Sequence, residues 1–204
     1  MNALSEKCVC VAGCGGLGGY AAEYLIRLGV GHIIAVDGDK FSESNLNRQI
    51  LCTLDTLGKA KAEVVKQRAE SINKAVSVTA INEFLTAENA EGIIKNADVV
   101  IDALDSVDAR RILFDACKRA GKVMIHGAIG KSSMQIAVIP PDKSFPSMQA
   151  ETVHGESVLS YVPAMCAGYE VNECVKLLKN ETSTLYGKML CIDLCENEQI
   201  EIEL

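Results

Sequence analysis

The sequence contains no tryptophan, and aromatic residues make up only 4% of it. A surface that stacks single-stranded nucleic acid needs several such rings, so that function class is excluded. Positive charge is also short. Twenty basic residues against 27 acidic ones leave a net charge of −7 at pH 7, which argues against non-specific binding to nucleic acid or to a membrane surface. No apolar run approaches the ~18 residues that a membrane-spanning helix requires. Met1-Asn2-Ala3-Leu4-Ser5-Glu6 has neither a basic start nor an apolar core, so no signal peptide is expected there. The nine cysteines, at 8, 10, 14, 52, 117, 166, 174, 191 and 195, include no C-x-x-C pair, which leaves a structural zinc site without support. An odd number without a secretion signal also argues against a disulfide framework. Several of the cysteines lie in apolar runs, where the residue behaves as a small hydrophobe. The expected compartment is a reducing cytoplasm. Repeats, low-complexity segments and any second domain are absent, and residues 1–204 read as a single domain.

What is present starts with a short apolar strand, Cys8-Val9-Cys10-Val11-Ala12, followed at once by Gly13-Cys14-Gly15-Gly16-Leu17-Gly18. Glycines let the backbone turn sharply and let a phosphate approach unobstructed. The helix that opens near Leu17 aims its free N–H groups at the same spot. A second strand, His32 to Val36, ends in Asp37, about 20 residues past the glycines, where a carboxylate can accept hydrogen bonds from ribose hydroxyls. Gly13, Gly15, Gly16, Gly18 and Asp37 are therefore candidate nucleotide-binding residues.

Further along, helices are expected at Leu17–Leu28, Asp55–Asn73, Thr86–Ile94, Val107–Ala120 and Val158–Lys179. Strands are expected at Val76–Ile81, Ala97–Leu104, Lys122–His126 and Lys131–Ile139, and Leu185–Asp193 with Gln199–Leu204 forms a hairpin. Pro140-Pro141 and Pro146 break regular structure, and a mobile loop is expected over about 140–157. Its His154 reads as a solvent-exposed histidine. Strands that alternate with helices indicate an α/β fold: a Rossmann-like, doubly wound, mostly parallel sheet with antiparallel strands at the C-terminal edge.

Which nucleotide binds is addressed by Asp37-Gly38-Asp39 and Ser44-Asn45-Leu46-Asn47-Arg48-Gln49, just past the second strand. A nicotinamide site has no evident use for this cluster. A triphosphate does, because Arg48 offers a planar fork to phosphate oxygens while Asn45 and Gln49 add neutral donors. The plainer alternative is that Ser42 to Gln49 only caps a helical turn. Lys59 and Lys61 stand at the start of a helix, where positive charge opposes the dipole; a solvated lysine is the alternative to a phosphate contact. Asp105 follows a central strand on the glycine-loop rim, where a carboxylate beside a triphosphate holds Mg²⁺. Alternatively, Asp105 or Ser106 is simply the N-cap of the next helix.

In this order, G-x-G-x-x-G, D-x-D and S-N-L-x-R-Q resemble the adenylyltransferases that activate ubiquitin-like sulfur carrier proteins in thiamine and molybdopterin biosynthesis. These are the ThiF, MoeB and HesA proteins, bacterial relatives of ubiquitin-activating enzymes. The resemblance runs from about Val9 to Leu194. It implies ATP and Mg²⁺ as cofactors, a carrier ending in Gly-Gly as partner, and a homodimer. It assigns Lys61, in Gly58-Lys59-Ala60-Lys61, to the triphosphate and Asp105 to magnesium. It also includes Asp39 among the nucleotide contacts, matches Arg110 to an arginine of the family, and implies that the 140–157 loop crosses the active site.

Three features depart from the family. Lys7 is the sole cation before Val9, where relatives carry an arginine that reaches the partner's ATP. The paired zinc cysteines are missing. Val153 stands near the position of a sulfur-relay cysteine in some relatives. The expected activity is adenylation of a carrier carboxylate, with Arg48, Lys61 and Asp105 as the catalytic groups. A carboxylate already ionised attacks the α-phosphate, so the lack of a Ser-His-Asp pattern is no obstacle. A non-catalytic relative that binds nucleotide or carrier is the main alternative. A nicotinamide oxidoreductase is a weaker one.

Overall fold

Five apolar segments set the centre of the molecule. In the computed structural model, which describes residues 3–146 and 158–204, they form the parallel part of an eight-stranded sheet. The strands are β1 (Cys8–Ala12), β2 (His32–Val36), β3 (Ser77–Ile81), β4 (Val99–Asp102), β5 (Met124–Ile129), β6 (Ser133–Ile139), β7 (Lys188–Asp193) and β8 (Glu198–Glu203). Their spatial order is β3-β2-β1-β4-β5-β6-β7-β8. Pairing is parallel from β3 through β5 and antiparallel from β5 through β8. All four residues of β4 are buried, as expected of an interior parallel strand covered on both faces. The expected fold class is therefore observed, including the antiparallel C-terminal edge.

Helices α1 (Gly16–Leu28), α2 (Lys61–Ile72) and α5 (Tyr161–Leu178) pack together on one face. Helices α3 (Ala90–Ile94) and α4 (Val107–Ala120) cover the other. Leu25, Ile26, Val171 and Leu178 fill the first interface together with sheet residues, and Ile94, Leu113 and Cys117 fill the second. Arg68 on α2 reaches Glu23 on α1 at 2.8 and 3.0 Å, tying neighbouring helices at their rim.

Several boundaries differ from the sequence reading. Helix α2 starts at Lys61, not Asp55. Gly58 adopts φ +77° and donates its N–H to Phe41 O, a left-handed residue that cannot continue a helix. The Lys61 N–H is held by Asp39 O at 3.0 Å. Helix α3 begins at Ala90 because Thr86 and Asn89 close a preceding turn, exchanging Thr86 N–H to Asn89 Oδ1 (2.8 Å) and Asn89 N–H to Thr86 Oγ1 (3.3 Å). Strand β5 runs on to Ile129 because β6 pairs with it from Met124↔Ile139 to Ile129↔Met134. Helix α5 spans Tyr161–Leu178, slightly shorter at both ends than expected. The expected 140–157 loop is described to Phe145 and Pro146 as turn and irregular chain. Its remainder, including Val153 and His154, lies outside the described residues.

Candidate functional site

In an open parallel sheet, the chain leaves in opposite directions on either side of the point where the strand order reverses, and a crevice opens there. Here that point lies between β1 and β4. A cleft of about 400 Å³ occupies it, walled by the glycine loop, the Asp37–Asp39 turn and the residues after β4. Its volume lies within the range of small-ligand sites.

The glycine loop is laid directly against the end of β4. Gly13 has φ +89°, and a Cβ there would sit 2.6 Å from Ala103 O, so any side chain would push the two elements apart. Gly15 precedes the first turn of α1, which has no side-chain cap and no acidic residue. Its N–H groups and the positive end of its dipole are thus available to an anion in the cleft. Gly18 does not line the cleft. A Cβ there would lie 1.7 Å from Gly13 O, so its role is the close packing of helix on loop.

Asp37 stands at the end of β2. Its Oδ2 accepts from Cys14 N at 2.7 Å and its Oδ1 from Asp39 N at 2.8 Å. Burial raises its carboxyl above the usual carboxylate range, opposed by the Lys61 ammonium and by those two N–H groups. Each oxygen keeps a further lone pair for a sugar hydroxyl. Lys61 Nζ lies 3.2 Å from Asp39 Oδ2, with the lysine side chain 9% exposed and the aspartate 55%. A freely solvated lysine is ruled out by that burial. One ammonium holds the turn and still faces the cleft, with donors to spare.

Arg48 also lines the cleft. It donates through Nη1 to Ser44 O (2.9 Å) and to Asn47 Oδ1 (2.8 Å), a tether that fixes the guanidinium plane. Gln49 is buried at 7% exposure, with Nε2 3.3 Å from where a Gly15 Cβ would be. Its Oε1 is buried without a hydrogen-bond partner among the described residues. Asn45 is not brought into the cleft wall. Its Oδ1 accepts from Ser42 N (3.1 Å) and Ser42 Oγ (3.2 Å), so the turn-capping role, not a phosphate contact, is what its geometry displays.

Asp105 follows β4 at the opposite wall and is exposed. The N-cap of α4 is Ser106, whose Oγ accepts from Ala109 N at 3.1 Å. The carboxylate of Asp105 makes no hydrogen bond or ion pair among the described residues, and capping does not account for it. Mg²⁺ is commonly held by one or two carboxylates plus substrate phosphates and waters. One carboxylate without a partner among the described residues, on a cleft that Arg48 and Lys61 also line, fits that donor set. Among the described residues, no three His, Cys, Asp or Glu side chains form an all-protein metal cage.

Two features of the site escape the sequence reading, and Arg110, matched there only to an arginine of the family, gains its contacts here. Phe84 is 66% exposed and lays its ring over Gly38, where a Cβ would fall 2.6 Å from the ring. Leu85, Leu104 and Val107 are further apolar residues of the cleft wall. The signal for Phe84 was its position just beyond β3 on the same rim. Asp102 and His126 form a buried pair, Oδ2 to Nδ1 2.6 Å. Arg110 Nε and Nη2 donate to Leu104 O at 2.8 and 2.6 Å.

Glu170, on α5, is fully buried, and neither carboxyl oxygen has a hydrogen-bond partner among the described residues. Burial pushes its carboxyl well above the usual range, Asp102 adds to the rise, and Arg110 opposes it. With its folded-state pKa raised, the group's stabilising contribution is complete below the ordinary carboxylate range and is lost as pH climbs toward the raised value. Glu170→Gln removes that titration. The melting temperature of the variant, relative to the parent, is expected to rise as pH climbs above the ordinary carboxylate range; a difference that stays flat with pH would contradict the account.

Compared with known proteins, residues 1–204 match the ThiF family throughout. The chain is 32% identical to protein HesA of Nostoc sp. over 197 residues, covering 94% of this chain and 78% of that protein. It is 34% identical to the SAMP-activating enzyme E1 of Haloferax volcanii, covering 93% and 73%. It is 32% identical to the sulfur carrier protein adenylyltransferase of Thermus thermophilus, covering 95% and 77%. Among solved structures it is similar to E. coli MccB with ATP, with a TM-score of 0.84 at 22% identity. That comparison covers 98% of this chain but 64% of the MccB chain, so the chain spans a little under two thirds of that protein.

Proposed function

The chain belongs to the ThiF family, and we propose on that premise that it is an ATP-dependent adenylyltransferase for a ubiquitin-like sulfur carrier. Relatives named as sulfur carrier and SAMP-activating enzymes support the class of substrate. The carrier is of the thiamine or molybdopterin type and ends in Gly-Gly. The observation that carries the reading is the gathering of Arg48, Gln49, Lys61 and the α1 N-terminus on one cleft, opposite the unpaired Asp105.

The ribose rests against Asp37 and the base against apolar residues of the cleft wall such as Phe84. The phosphates lie along the glycine loop toward Arg48 and Lys61. Asp105 is the residue that would hold Mg²⁺, which when bound neutralises phosphate charge. The carrier's terminal carboxylate is ionised at neutral pH. Its oxygen bonds to the α-phosphorus as the bond from that phosphorus to the bridging oxygen breaks, and pyrophosphate leaves with the electron pair. No proton is transferred, so no general base is required. Catalysis consists of positioning and charge stabilisation. Exchange of labelled pyrophosphate into ATP, dependent on added carrier, tests this. ATP·Mg²⁺ should also bind more tightly than NAD by calorimetry, and tighter NAD binding would sink the nucleotide assignment.

The active form is a symmetric dimer. Tyr161, Met165 and Tyr169 are exposed at 51%, 42% and 37% and stand four residues apart on α5. They therefore share one face, which a second copy would cover. Light scattering should give twice the chain mass, and Met165→Glu should return the monomer. A parent that is monomeric at micromolar concentration would contradict this. Six of the nine cysteines are buried, where the residue packs as a small hydrophobe.

A further inference from the structure

Leu104, the residue before Asp105, is held at both its backbone N–H and its carbonyl oxygen. Leu104 N donates to Asp102 Oδ1 at 3.1 Å. Leu104 O receives both Nε and Nη2 of Arg110, at 2.8 and 2.6 Å. The same Nη2 reaches Gly127 O on β5 at 3.3 Å, so the guanidinium staples the end of β4 to β5. Asp102 is itself fixed by His126 Nδ1 at 2.6 Å, in a pair exposed by only 0% and 2%. Phe145 closes the histidine ring edge-on, with centroids 5.5 Å apart. A charge-assisted fork such as the one Arg110 makes is among the stronger hydrogen bonds available. Helix α4 does not need that fork, since Ser106 already caps it.

We infer that Arg110, with the Asp102–His126 pair behind it, is a positioning brace that fixes the exposed carboxylate of Asp105 relative to the nucleotide's phosphates. The inference rests on the proposed role of Asp105. It accounts for a buried Asp–His pair beside a cleft whose chemistry calls for no base. It also explains why a rim carboxylate with no partner of its own can be held in place: its backbone, not its side chain, is what the protein fixes. Lysine cannot reproduce the fork, since it lacks the paired donors that converge on one carbonyl.

The test is a double-mutant cycle between Arg110→Lys and Asp105→Ala, read in two ways. One is carrier-dependent pyrophosphate exchange. The other is the ratio of ATP affinities with and without Mg²⁺, by calorimetry. Misplacing a reacting group by about 1 Å costs on the order of 10²-fold, so Arg110→Lys should lower exchange by roughly 10- to 100-fold and shrink the Mg²⁺ ratio. ATP affinity without the metal and the melting temperature should stay near parental values. In the Asp105→Ala background, Arg110→Lys should add almost nothing, the non-additivity of residues that act as one unit. Asp102→Asn, which keeps an oxygen for Leu104 N while weakening the tie to His126, should show the same pattern more mildly, and it decides the matter if Arg110→Lys fails to fold. Losses that multiply in the cycle would overturn the brace, as would variants with an unchanged Mg²⁺ ratio and parental exchange. A parent that exchanges no pyrophosphate with any carrier overturns the functional reading instead, and the Mg²⁺ ratio alone then judges the brace.

Discussion

Asp105→Asn is expected to lower pyrophosphate exchange by about 10²-fold or more, the size of a lost transition-state contact, with the fold intact. The substitution keeps shape and removes charge. Because Ser106 supplies the cap of α4, the helix should not feel the change, and the melting temperature should stay within a few degrees of the parent. ATP binding without Mg²⁺ should be unchanged or slightly tighter, since the carboxylate repels phosphate when the metal is absent. Asp105→Ala should behave alike. An Asp105→Asn protein that folds normally and keeps full activity would remove the magnesium role.

Arg48→Ala should produce a loss of similar size, again larger in turnover than in ATP affinity. Charge redistributes on the phosphates only as the α-phosphorus is attacked, and a contact that strengthens at that moment appears in kcat. The tether of Nη1 to Ser44 O and Asn47 Oδ1 fixes the guanidinium plane before substrate arrives. Arg48→Lys should therefore rescue little, because an ammonium offers neither the plane nor the second edge. If Arg48 served only to close the Ser44–Asn47 turn, its loss would instead lower the melting temperature and leave turnover per folded molecule unchanged.

The parts of this site that the sequence displayed are those set by local pattern. An apolar strand, a glycine loop and an acid after the next strand follow from backbone sterics within some 30 residues, and the structure assembles β1, α1 and β2 as expected. Lys61 is singled out by the family resemblance that Gly58-Lys59-Ala60-Lys61 carries, yet α2 starts at Lys61 and not at Asp55. Apolar periodicity could not reveal that Gly58 takes a left-handed conformation to bring Lys61 N to Asp39 O. Asn45 and Gln49 look equivalent in sequence. Only the fold turns one onto Ser42 and the other over Gly15.

The buried network was illegible for a different reason. Asp102 and His126 meet across the β4–β5 pairing, and Glu170 approaches Gly127 from a helix beyond the loop. No period or spacing encodes contacts between elements, and an acid or a histidine inside an apolar run reads as an interruption until its partner is seen. Phe84 has only its place just beyond β3 to mark it, because an exposed aromatic in a loop belongs to no periodic pattern.

The most direct test of the adenylation claim uses one candidate carrier in two forms, one with a free terminal carboxylate and one with that carboxylate amidated. Carrier-dependent exchange of labelled pyrophosphate into ATP is measured for each. The account expects exchange with the free acid and none above background with the amide, because the attacking oxygen must be ionised and uncapped. Equal exchange with both forms, or with no carrier present, would contradict it.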